Sequence, residues 1–251
     1  MPTPDARAGW PAAPALDPGH LLTALAAAQD AFATLLASAD PGEPVAACAP
    51  WSVTDLALHL AGVHRWAAGM ARGVDGADTE PTGPRERAAL LAFYREQADL
   101  LLATLVEVGP DAPALTLTGP GPASFWHRRQ VHETLVHLHD LADAAGVPHP
   151  LDLPTLWSDG VDEVVTVMTP RQVRLGRIVP LERPVALTAA DAGASWVLGG
   201  RSGDDPAATV TGPARTLALL LWGRATADDA TLAVTGDRAV LDATLGRALT
   251  P

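Results

Sequence analysis

Apolar positions in the first 150 residues recur at three- and four-residue steps, the spacing of helices that each bury one face. Asp17 followed by Pro18 reads as a helix start, a side-chain cap with proline at the first helical position. Leu21, Leu25, Ala28, Phe32 and Leu35 follow in register until Asp40-Pro41-Gly42 closes the segment. A second helix is predicted from Ser52, where Asp55 three residues on makes a near-capping box, with a stripe of Leu56, His59, Val63, Trp66 and Met70. After a loop over Gly73–Pro84, a third helix is predicted from about Arg85 to Val108, carrying Leu91, Tyr94, Ala98, Leu101 and Leu105 on one face. The stretch holding Gly109-Pro110 and Gly119-Pro120-Gly121-Pro122 reads as a loop. A fourth helix is predicted from about Ser124 to Ala145, stopped by Gly146 with Pro148 just beyond. Four helices of this length predict a four-helix bundle.

Beyond Pro150 the pattern changes. Leu156–Met168 reads as one more helix, and then short alternating pieces at Val185–Thr188, Ser195–Leu198, Ala208–Thr211 and Leu232–Val234 read as strands. Helical stretches at about Ala214–Trp222 and Ala239–Leu245 are interleaved with them. The expected organisation is a flexible tail over residues 1–16, a helical bundle over 17–150 and a smaller α+β domain over 151–251.

Composition narrows the class of protein. Hydrophobic residues make up 48% of the 251, enough to build a core and too many for a disordered chain. The formal net charge is −12, with no lysine and no basic run, which argues against nucleic acid and anionic lipid as partners. No stretch reads as the roughly 18 unbroken apolar residues of a membrane span. The prolines of the first twenty residues do not fit a signal peptide. With Cys48 the sole cysteine, no disulfide can form within the chain, and a reducing, cytoplasmic setting is expected.

Candidate chemistry lies in the eight histidines. His20, His127 and His149 fall at predicted helix ends or loops and read as surface residues. His59 lies on the apolar stripe of the second helix, so its side chain points into the bundle. A buried imidazole needs hydrogen-bond partners or a metal to offset its desolvation, and either account suits His59. His64, five residues on, is turned about 140° away and is not expected to share a site with it. On the fourth helix, Glu133 and His137 form an i, i+4 pair able to converge on one ion. His59 is the natural third ligand, and His₂Glu with an open position is a catalytic zinc set. The same spacing also fits a solvated face with a simple Glu–His contact, because Val131, Leu135, Leu138 and Ala142 form the cleaner apolar stripe nearly opposite. Trp126 and Leu141 flank the polar face, which lets it be covered rather than wet, and Asp140 could accept an imidazole N–H. There is no GxSxG, no phosphate-binding loop, no CxxC and no HExxH.

The segments WSVTDLALHLAGVHRW (Trp51–Trp66), HRRQVHETLVHLHD (His127–Asp140), SDGVDEVV (Ser158–Val165), GPARTLALLLWGR (Gly212–Arg224) and VTGDRAVLDATL (Val234–Leu245) together resemble the mycothiol-dependent maleylpyruvate isomerase family, a branch of the DinB-like, YfiT-like metalloenzymes. The resemblance runs through most of the chain from about Asp17. It implies a DinB-like four-helix bundle followed by a smaller α+β domain, a mixed α plus α/β class. It also implies a divalent metal, usually zinc with nickel as another candidate. By this resemblance the ligands are His59, Glu133 and His137, and Arg224 is the catalytic arginine of the second domain. Extra loop sequence around Asp191–Asp205 departs from the family pattern and bears on substrate identity.

The function so implied is a metal-dependent isomerase or S-transferase that uses mycothiol as cosubstrate on a small electrophile. A hydrolase working through metal-bound water, and a metal- or ligand-binding protein without turnover, are the alternatives. The sequence specifies no oligomeric state.

Overall fold

A computed structural model describes residues 16–74, 82–201 and 203–251. All but the last residue of the expected tail, and the middle of the Gly73–Pro84 loop, lie outside the described residues. The described chain divides into two compact units, Leu16–Leu151 and Asp152–Pro251.

The first unit is built on four helices. Helix α1 (Pro18–Ser38) starts where Asp17 Oδ1 accepts from the Gly19 amide at 2.8 Å. Its buried face ends on Leu36 rather than Leu35, which is only half-buried. At 100° per residue, Leu36 lies closer to the direction of Phe32 than Leu35 does. By length and composition α1 is apolar enough to cross a membrane, contrary to the expectation from sequence. Here that apolar surface packs against other helices: Leu25, Ala28 and Phe32 are fully buried.

Helix α2 (Val53–Ala71) begins with the Ser52–Asp55 box, now with both halves formed. The shorter aspartate serves in place of glutamate, and its second oxygen receives Arg85 at 2.7 Å. Helix α3 (Arg87–Val108) starts two residues later than expected, because the Glu86 carboxylate caps the amides of Ala88 and Ala89. Its inner face carries Leu90 instead of Leu91. Helix α4 (Ser124–Ala144) is followed by Gly146 at φ 65°, a left-handed turn that glycine adopts without strain.

The segment expected as a loop holds a short antiparallel hairpin, β1 (Pro113–Thr116) and β2 (Gly119–Pro122). A Gly-Pro-Gly-Pro strand has no propensity signal to read. The hairpin is held by local chemistry: the Thr116 hydroxyl donates to the Gly119 carbonyl at 2.6 Å, and the Trp126 indole donates to the Leu115 carbonyl at 2.7 Å.

The helices pack as a ring of neighbours, α1 on α3, α3 on α2, α2 on α4 and α4 on α1. Phe32, Leu56, Leu60, Leu90, Tyr94 and Leu138 fill the centre. Each leucine and phenylalanine among them contributes about 1.5–3 kcal/mol of burial. This packing presents α2 and α4 to one another, the pair that carries the candidate ligands.

The second unit is α+β. Helix α5 (Pro154–Glu163) continues through a π-helical turn (Val164–Met168) into α6 (Thr169–Arg174), so the predicted single helix is longer and interrupted. Strands β3 (Val185–Ala189), β4 (Ala194–Leu198), β5 (Ala208–Gly212) and β6 (Ala233–Gly236) form one sheet in the order β4-β3-β5-β6. Only β3 and β5 run parallel. Helix α7 (Ala214–Leu221) packs on β3, β5 and α5, and α8 (Arg238–Leu245) on β5. The Trp196 indole donates to Asp162 at 3.2 Å, satisfying a carboxylate buried on α5.

Candidate metal centre

Three side chains from two helices meet in the first unit. His59 comes from α2, and Glu133 and His137 come from successive turns of α4. Glu133 Oε1 lies 3.6 Å from His59 Nε2 and 3.3 Å from His137 Nε2. The two imidazoles stand edge to face, with ring centroids 5.1 Å apart. All three donor atoms fall within 4.8 Å of one another. Ligands of a tetrahedral zinc sit about 3.3 Å apart when the metal–ligand bonds are about 2 Å. The two spacings from Glu133 Oε1 are close to that separation.

The face is not solvated. The Glu133 and His137 side chains are 13% and 10% exposed, and His59 is 29% exposed. Helix α4 is buried on both sides, with Val131, Leu135 and Leu138 on one and Trp126, Gln130 and Leu141 on the other. The polar stripe opposite the apolar one is thus an interior face as well.

Second contacts orient the trio. The Arg129 guanidinium, one turn before Glu133 and 4% exposed, donates to Glu133 Oε2 and leaves Oε1 facing the histidines. His137 Nδ1 lies 2.9 Å from Asp140 Oδ2, the place the spacing had suggested for Asp140. Trp51 lies on His59 with ring centroids 4.7 Å apart. Cys48 Sγ reaches Asp140 Oδ2 at 3.5 Å.

Charges follow these contacts. Burial pushes the Glu133 carboxyl up, but Arg129 and the two imidazoles outweigh it and hold the group well below the usual carboxylate range. Burial works against a charged His137, yet Asp140, Cys48 and Glu133 outweigh it and raise the imidazole well above its ordinary value. A cation entering here would have to displace that proton, and its binding would weaken toward low pH.

The other histidines are sorted by packing. His127, expected at the surface, is buried, with Nδ1 3.5 Å from the Pro18 carbonyl, because the first turn of α4 lies against the start of α1. His20 is exposed; His149 is half-buried and bonded to Leu151 and Leu135. His132 is buried and His139 stacks on His149. Neither belongs to the trio. His64 is fully buried, with Nδ1 3.0 Å from Gln130 Oε1.

Desolvation depresses the His64 pKa from 6.5 to about 4. Between those values the unfolded chain binds the proton and the fold does not. The stability that His64 contributes is therefore fully present above pH 6.5 and is lost as pH falls through the window. In chelator-stripped protein, moving from pH 7.5 to 5.5 is expected to cost about 1 kcal/mol from this residue. Unfolding free energies of the parent and of His64→Gln, from urea titrations, should converge by that amount; parallel pH profiles would remove His64 as the cause.

Arg224 belongs to the second unit. It follows α7, where its Nη1 donates to the Trp222 carbonyl at 2.8 Å and its amide to the Leu219 carbonyl at 2.8 Å. Arg129, Cys48 and Trp51 are the site residues that sequence reasoning missed. Arg129 was legible as an i, i+4 partner of Glu133. Cys48 and Trp51 had no such signal. They are brought in by the turn over Ala46–Cys48, which packs on α4 and is stapled by the Val45 amide to the Trp51 carbonyl at 2.9 Å.

The comparisons agree with this architecture. Residues 22–142 match the family model of the mycothiol maleylpyruvate isomerase N-terminal domain, and residues 156–243 match that of the MDMPI C-terminal domain. A crystal structure of the mycothiol-dependent maleylpyruvate isomerase superposes with a TM-score of 0.65 at 15% identity, covering 88% of this chain and 93% of that one. The structure of a histidine-to-alanine mutant of that enzyme gives the same values. No curated protein matches the chain in sequence. With both of its domains matched in order by the two domain models, the chain belongs to the mycothiol maleylpyruvate isomerase family.

Proposed function

We propose that this protein is a metal-dependent enzyme that directs a small-molecule thiol, mycothiol by family, at a small electrophile, as an isomerase or S-transferase. The observation that carries the reading is one carboxylate oxygen, Glu133 Oε1, flanked by two imidazole nitrogens at 3.3 and 3.6 Å. Two nitrogens and one oxygen form a zinc-type donor set with a position left over. The bound cation would supply the positive charge that favours the thiolate form of the thiol.

The chain's own residues prepare that chemistry. His59 and His137 offer their Nε2 atoms, Glu133 offers one carboxylate oxygen, and Arg129 keeps the other occupied. Asp140 receives the Nδ1 proton of His137, which leaves its Nε2 lone pair facing inward. A thiolate beside these residues would add to an electrophilic carbon of the substrate. Its expulsion after bond rotation would be isomerisation, whereas departure of another group from that carbon, halide in a haloalkane, with the S–C bond kept, would be transfer. We assign Arg224 the role of orienting a substrate carboxylate by a two-point contact. Arg224→Gln is then expected to raise KM for carboxylate substrates and leave metal content unchanged.

The test starts from metal analysis, with one equivalent of zinc or another divalent ion expected per chain. Metalated protein is then incubated with mycothiol and either maleylpyruvate or a haloalkane. Isomer formation without thiol loss supports isomerisation, and thiol consumption supports transfer. Stoichiometric metal with neither result moves the assignment to hydrolysis or to binding without turnover. Protein that takes up no metal sinks the proposal.

A further inference from the structure

The imidazole of His137 faces two separate sets of donors. Its Nε2 looks toward Glu133 and His59, and its Nδ1 looks toward Asp140 and Cys48. Cys48, Asp140 and His137 also lie close enough to hold an ion of their own. The distances separate the two sides. Glu133 Oε1 to His137 Nε2 is 3.3 Å, near the spacing of two ligands on one metal, whereas Asp140 Oδ2 to His137 Nδ1 is 2.9 Å, the length of an N–H···O hydrogen bond. The first gap fits a cation and the second fits a proton.

Asp140 is 2% exposed, so its carboxylate must be met by donors. Two of these are the His137 N–H and the Cys48 S–H, which converge on the same oxygen, Oδ2. Cys48 Sγ also lies within 4.8 Å of a ring nitrogen of His137. The thiol is held in place by the backbone around it: the Cys48 amide donates to the Val45 carbonyl and the Trp51 amide donates to the Cys48 carbonyl, each at 3.0 Å. The turn bearing Cys48 lies on α4, so the same packing that sets Trp51 against His59 sets Cys48 against Asp140.

We propose that Cys48 and Asp140 are positioning residues of the metal centre: the thiol donates to Asp140 Oδ2, Asp140 accepts from His137 Nδ1, and this chain locks the His137 ring with Nε2 aimed at the cation. The inference rests on the centre proposed above. It gives the sole cysteine a role as a hydrogen-bond donor, not as a nucleophile. Serine, with an O–H in place of S–H, is expected to replace it, and alanine is not.

The experiment measures zinc affinity by competition with a chromophoric chelator, and urea stability of the chelator-stripped forms, for the full-length parent, Asp140→Asn, Cys48→Ala and Cys48→Ser. Asp140→Asn is expected to weaken binding about 10- to 100-fold. Cys48→Ala should weaken it about 3- to 10-fold, the worth of one hydrogen bond. Cys48→Ser should stay within about twofold of the parent. All four should bind one ion. If Cys48→Ala binds zinc as tightly as the parent, or if serine fails to restore what alanine loses, the relay is overturned. Two ions in the parent, one of them lost in Cys48→Ala, would overturn it in favour of a second cation site. A parent that binds no zinc at all removes the centre and the relay together, an outcome distinct from a parent that binds one ion and a Cys48→Ala variant that matches it.

Discussion

Replacing His137 with alanine is expected to abolish stoichiometric metal retention while leaving helical content near that of the parent. Structural zinc sites with four ligands bind with about 10–16 kcal/mol, so one ligand is worth about 3 kcal/mol, or at least about 100-fold in affinity. His137 carries more than a bond, since its Nδ1 also meets buried Asp140 at 2.9 Å. His59→Ala should show the same loss of metal with less change in stability, because His59 is the more exposed of the two. Metal per chain after gel filtration, with circular dichroism alongside, checks both. If either variant holds metal like the parent, that residue is not a ligand.

The second large effect is expected at Arg129. Its guanidinium meets a carboxylate that is buried beside it, and the pair is short-range and one turn apart on α4. Arg129→Leu leaves the buried Glu133 carboxylate of the metal-free protein with the two imidazoles alone to offset it, at a cost of about 3 kcal/mol, the low end for a broken buried pair. For a protein of this size that lowers the melting temperature by about 10 °C. Added zinc should return a part of it, because the cation then pairs with Glu133. Arg129→Lys should fall between, since an ammonium gives the charge without the planar fork. A melting temperature within 2 °C of the parent in chelator-stripped Arg129→Leu would mean the guanidinium does not hold the carboxylate.

Signals whose cause is local are legible in the chain. The Asp17–Pro18 start, the Ser52–Asp55 box and the Gly146 stop each depend on a few neighbouring residues, and each stands in the structure as the spacing suggested. The α3 start moved because Glu86, not an upstream residue, supplies the cap. The Gly119–Pro122 strand was invisible because its pairing rests on a threonine hydroxyl and an indole bond, not on side-chain alternation. His127 is buried, against the expectation from its position, because a helix end is a surface position only until another helix covers it.

At the site the same division holds. Periodicity placed His59 on an inward stripe of α2 and put Glu133 and His137 one turn apart on α4, since the 3.6-residue turn determines which side chains share a face. It could not choose between a wet Glu–His pair and an interior one. That choice belongs to the tertiary fold. The packing of α2 on α4 brings His59 Nε2 to 3.6 Å from Glu133, and the turn at Ala46–Cys48 lays Cys48 and Trp51 beside residues far along the chain. The helical turn acts over four residues and is written in the order of the chain; the meeting of side chains 74 or 92 positions apart depends on how whole helices bury their faces, which no local spacing encodes.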